Sequence, residues 1–109
     1  MCILVIHTPN HKVASSGARS FAQVMSSGIG DGYAIFKKDV NKWVKGSQVV
    51  VLRKDKNPKR AEGLLEKIVN TNKPTPQGIE RYDIHIINLK EVAYKPEKLN
   101  RFGVGYIGC

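Results

Sequence analysis

The residues able to do chemistry in this chain are mostly cations, and they are crowded together. Residues 37–60 hold Lys37, Lys38, Lys42, Lys45, Arg53, Lys54, Lys56, Lys59 and Arg60 against Asp39 and Asp55. Nine cations less two carboxylates put +7 of the net +9 into one quarter of the sequence. An excess of this size gathers polyanions, and nucleic acid is the commonest one inside cells. A charge run is often only a solvated loop tip, but its concentration here favours a patch. Tyr33, Phe36 and Trp43 are interleaved with Lys37, Lys38, Lys42 and Lys45, as in a surface that stacks bases and neutralises phosphates. Phe36 reads more readily as core. Trp43 fits either role, and a buried indole would need a partner for its N–H.

Other constellations carry less. His7 and His11 are four apart, a spacing that on a helix would suit a metal, but Pro9 lies between them and no carboxylate is near in sequence. Ordinary turn histidines explain the pair, so no metal is expected. Ser15, Ser16, Arg19 and Ser20 near a helix start could receive a phosphate through hydroxyls and backbone N–H groups. A capped helix face explains the same residues. Cys2 and Cys109 stand at opposite ends with no C-x-x-C spacing, so neither a disulfide framework nor a zinc ribbon is suggested. That reads as a reduced, cytoplasmic protein. Neither cysteine has a base beside it in sequence, and no catalytic residue or cofactor is assigned.

These residues need a frame. At 109 residues and 41% hydrophobic content the chain fits one globular domain, residues 1–109. No apolar stretch is long enough for a membrane span, and "MCILVI" is too short for a signal segment, so no membrane partner is expected. "CILVI" reads as a buried strand, and Thr8 or Asn10 can cap the segment beyond its proline turn. Apolar positions from Val13 to Met25 recur at helical spacing, and "SSGIGDG" stops that helix. Residues 33–36 form a second strand, and "DVNKWVKG" is a single helical turn ended by Gly46. "SQVVVLRK" is the strongest strand, because adjacent valines pack poorly in a helix. "RYDIHIINLKEV" alternates with period 2, and residues 102–108 form a last, glycine-bearing strand.

Residues 61–69 are ambiguous. Ala61, Leu64, Leu65, Ile68 and Val69 fit helical spacing, whereas Gly63, the pair Ile68–Val69 and the preceding turn chemistry of "KDKNPK" favour a strand in a hairpin. On local sequence both readings stand.

The order of segments resembles the PUA-like superfamily, and within it the EVE and ASCH type domains. "VIHTPNHK" matches their opening strand and Asn/Pro turn, and Val44–Leu52 their lysine-glycine turn into an apolar strand. "AEGLLEKIV" is similar to their glycine-containing strand, and Arg81–Tyr82 to the start of the next, long strand. The resemblance implies that residues 61–69 are a strand. It further implies an α+β fold, a small mixed β-barrel with one or two flanking helices and a basic hairpin at Arg53–Arg60. It also implies a non-catalytic module that binds nucleic acid, RNA ahead of DNA, or recognises a modified base. The nine cations above would contact phosphate, and Tyr33, Trp43, Arg19 and Ser16 would stack a base or line a pocket. The strand resembling "K-T-I-T-I-R" in hydrolytic members has no counterpart here. Two alternatives remain: a small hydrolase acting on a nucleoside-like substrate, and a protein-interaction domain using the basic hairpin. Oligomeric state is not legible.

Overall fold

The adjacent valines Val49, Val50 and Val51 are all fully buried, which demands an element covered on both faces. The computed structural model, which describes residues 2–8, 19–100 and 103–108, supplies both covers. Its elements are β1 (Ile3–His7), α1 (Phe21–Ser27), β2 (Ile29–Ala34), α2 (Lys37–Val40), β3 (Gln48–Arg53), β4 (Lys59–Asn70), β5 (Arg81–Val92) and β6 (Val104–Ile107). The six strands form one mixed sheet in the order β2-β5-β4-β3-β1-β6, curled into a half-barrel. Only β1 and β3 pair in parallel; every other neighbour is antiparallel. The inner face gathers Leu4, Ile6, Val49, Val51, Leu65, Ile84 and Ile86 under Phe21 and Val24 of α1, with Trp43 beside them. The outer face buries Val5, Val50 and Leu52 beneath Leu99. Among the described residues, no helix is long and apolar enough to cross a membrane.

The ambiguous segment is a strand. Residues 59–70 form β4, antiparallel to both β3 and β5. Helical spacing failed as a guide because its apolar positions serve two different surfaces: Leu65 is buried inside, while Leu64 and Val69 are left partly exposed. Gly63 has a positive reason to be there. A β-carbon on it would lie 2.7 Å from Ile86 Cγ2 and 2.9 Å from the Ile87 carbonyl oxygen, at a shift in the β4–β5 register. Glycine permits that close approach of two strands.

Several boundaries differ from the sequence reading. The helix expected from Val13 lies partly outside the described residues. Within them it begins at Phe21, because Ser20 is extended and caps it, its Oγ accepting from the Gln23 N–H while Gln23 Oε1 accepts from the Ser20 N–H. Such a reciprocal box fixes a helix start. Thr8 caps nothing described; its hydroxyl donates to the buried Leu52 carbonyl. The glycine-rich stretch does stop α1, Gly28 capping it at φ +72°, but it then continues as most of β2, with a bulge between Gly30 and Tyr33 where Gly32 takes φ +73°. The helical turn sits at Lys37–Val40, which places Trp43 beyond it. Cys2 is disulfide-bonded, so the expectation of a free thiol there fails. The sequence's other cysteine, Cys109, lies outside the described residues, as do Ser15, Ser16 and His11.

Candidate nucleic-acid interface

The cations that are contiguous in sequence are divided in space by β3. Lys37, Lys38, Lys42 and Lys45 precede it; Arg53, Lys54, Lys56, Lys59 and Arg60 come after it. A six-residue strand is about 20 Å long, so two basic groups stand at opposite ends of the sheet. Of the first group, Lys45 lines a cavity of 310 Å³ together with Trp43 and Val44 before β3 and Leu65 and Ile68 of β4. Lys67 lines that cavity too and adds a cation that the sequence reading missed.

The nine cations also differ in availability. Lys37, Lys38, Lys45, Lys54 and Lys56 are exposed, and none has an ion pair among the described residues. Lys42 holds Asp39 at 3.0 Å and stands over the Tyr106 ring, and Lys59 lies 4.0 Å from Glu91. Arg53 closes its own hairpin: Nη2 donates to the Asn57 carbonyl at 2.6 Å, and Nε lies 3.2 Å from Asp55. Arg60 is a different kind of residue. It is 7% exposed, with Nε on Glu62 at 2.9 Å and Nη1 on Glu97 at 2.7 Å and on the Lys95 carbonyl at 3.0 Å. Burial works against its charge, but the hydrogen bonds to Glu97 and Glu62 outweigh it and hold its pKa above the ordinary value. A guanidinium so engaged is a strut rather than a phosphate ligand.

Two of the three aromatics are turned inward; Phe36, expected in the core, is instead 43% exposed with Lys38 Nζ over its ring. Trp43 is 4% exposed, packs on Tyr106 with ring centroids 5.1 Å apart, and its Nε1–H has no hydrogen-bond acceptor among the described residues. Stacking a base on an open face of Trp43 is therefore ruled out by its burial. Tyr33 donates its hydroxyl to the His7 carbonyl at 2.8 Å, and its ring would lie 3.0 Å from a β-carbon on Gly30. Burial pushes its pKa well above the usual tyrosine range, and the charge of Asp31 adds to the effect. Both rings hold the inner face together.

Arg19 does line a pocket. With Asp31, Thr71, Lys73, Arg81 and Asp83 it borders an open cleft of 730 Å³, within the range of small-molecule sites. Lys73 and Arg81 were passed over in the sequence, although the polar phase of "RYDIH" marked Arg81 and Asp83 as neighbours on one face. A second cavity, of 370 Å³, separates Phe21, Ala22 and Met25 of α1 from Lys59 and Glu91. Among the described residues there is no cluster of three His, Cys, Asp or Glu able to hold a metal.

His7 sits at the base of the β3–β4 hairpin. Its Nε2 accepts from the Lys54 N–H at 3.4 Å, a long bond that needs the neutral imidazole. Burial lowers its pKa below 6.5, the Lys54 charge lowers it further, and Asp55 partly opposes them. Below pH 6.5 the unfolded chain takes up a proton that the folded chain resists, so stability falls as the pH drops from 6.5 to the folded value. Urea melts at pH 7.5 and 5.5 should show this loss in the wild type and a smaller one in His7→Gln. Equal losses would remove His7 as the cause.

No protein-family model matches this sequence, and no curated protein matches it.

Proposed function

We propose that the chain is a non-catalytic, PUA-like nucleic-acid-binding module that prefers single-stranded RNA. The observation that carries this reading is the exposure of Lys37, Lys38, Lys45, Lys54 and Lys56 without carboxylate partners, on a chain of net charge +9. Ammonium groups left unpaired are free to displace counterions from phosphates, which supplies affinity without sequence information. Their division into two groups predicts two separable contributions, one at α2 and one at the hairpin. The element order and the β4 strand support the PUA-like part of the reading.

Single-stranded RNA should bind with a log–log salt slope of about −0.7 per phosphate contacted. Lys54→Gln with Lys56→Gln should flatten that slope by about 1.4, two contacts' worth, without shifting the thermal melt. Arg60→Gln should be unlike them, because its side chain already serves two carboxylates. Fluorescence anisotropy with a labelled oligonucleotide reads all three. No binding at low salt would end the nucleic-acid reading.

A further inference from the structure

The cleft beside Arg19 has charge of both signs, and that selects among ligands. Three cations, Arg19, Lys73 and Arg81, face it with two carboxylates, Asp31 and Asp83. No ion pair joins them among the described residues. Each carboxylate is instead pinned by the backbone. Asp31 Oδ1 accepts from the Arg19 N–H at 2.9 Å, and Asp83 Oδ1 from the N–H of Gly32 in the β2 bulge at 3.0 Å. Each keeps a second oxygen with no protein hydrogen bond among the described residues.

The cationic side is also held in place. Thr71 N–H and Oγ1 both donate to the Arg81 carbonyl, at 3.0 and 3.1 Å, and Thr71 Oγ1 accepts from the Lys73 N–H at 3.2 Å. The backbone at Lys73 is thereby fixed beside the start of β5. Arg19 Nη1 reaches Ser27 Oγ at 3.3 Å. The backbone bordering the cleft is thus fixed without a ligand, and preorganisation of this kind reduces the entropy lost on binding.

A polyanion spread across this cleft would meet two carboxylates, and a bare cation would meet three positive groups. A ligand with a concentrated anionic end and neutral N–H donors at the other satisfies both sets. We propose that the cleft binds a single nucleotide, its phosphate on Arg19, Lys73 and Arg81, and the exocyclic amine of its base donating to Asp83. This rests on the nucleic-acid reading and adds a selective site to a surface that otherwise only attracts. The carboxylate accepts from the 4-amine of cytidine and repels the 4-oxo group of uridine, so the site discriminates between them.

Calorimetric titration of the full chain with CMP, UMP and inorganic phosphate tests it. CMP should bind more tightly than UMP, and inorganic phosphate more weakly than either. Arg81→Gln should weaken CMP by at least about tenfold, the loss of one charge-assisted contact. Asp83→Asn keeps an oxygen for the Gly32 N–H but presents an NH2 where the free oxygen stood, and should reverse the preference in favour of UMP. Lys54→Gln with Lys56→Gln should leave CMP binding unchanged while weakening the oligonucleotide. Equal binding of phosphate, CMP and UMP would overturn the proposal, as would no CMP binding at all. If the oligonucleotide still binds in a lysine-dependent way in those cases, only the cleft is lost; if it too fails, the functional reading goes with it.

Discussion

Replacing Arg60 with alanine should cost roughly 3–5 kcal/mol of folding stability, the usual penalty for removing one partner of a buried ion pair. The change strands Glu62 and Glu97, and the second is itself nearly covered. The loss is structural in origin because Arg60 ties β4 to Lys95 and Glu97, in the segment that lies over the outer face. Its neighbour Lys56, exposed and unpaired, should change stability by less than about 0.5 kcal/mol when replaced. Denaturant melts of the two variants side by side are decisive. Similar small shifts for both would mean that the Arg60 network contributes little. A large loss for Arg60→Ala restored by removing Glu62 and Glu97 as well would identify stranded charge as the cause.

Trp43→Ala should be as damaging, about 3–5 kcal/mol, through the cavity left between Tyr106 and the inner face. The conservative change behaves differently. Trp43→Phe gives up some volume, yet it also removes an indole N–H buried without an acceptor, a group that costs about 1–3 kcal/mol where it stands. The two effects oppose each other, so Trp43→Phe should lie within about 1.5 kcal/mol of the wild type. If Trp43→Phe is as destabilising as Trp43→Ala, the N–H has a partner in solution that offsets its burial. Near-neutral alanine would show that Trp43 is not core.

Much of the frame was legible because it is a local property. Period 2 in "RYDIH" and the valine run of β3 announce strands wherever they occur, and both were found. The glycine stretch was legible in part: Gly28 ends α1 in the left-handed region as expected, but glycine marks both loops and bulged strands, and the pairing with β5 that makes residues 29–34 a strand is not local. Trp43 and Arg60 illustrate the deeper limit. A tryptophan among lysines and an arginine in a basic run look like surface residues until distant elements close over them. Tyr106 and Glu97 do so from 63 and 37 residues away along the chain. The cleft was invisible for the same reason, since Arg19, Lys73 and Arg81 meet only after β2 and β5 pair.

The position of β1 has a consequence for tolerance to truncation. Chain ends are usually the segments a fold can spare. Here the five residues Ile3–His7 are interior: β3 continues to β6 only through β1. Trimming them would leave β6 with no partner in the sheet and would bare the flank of β3, a row of unpaired N–H and C=O groups beside three buried valines. Such a flank is a template for pairing between molecules. The shortest way to turn this chain into an aggregating one is to shorten it at the front, and a charge on β3 facing the gap would be needed to prevent it.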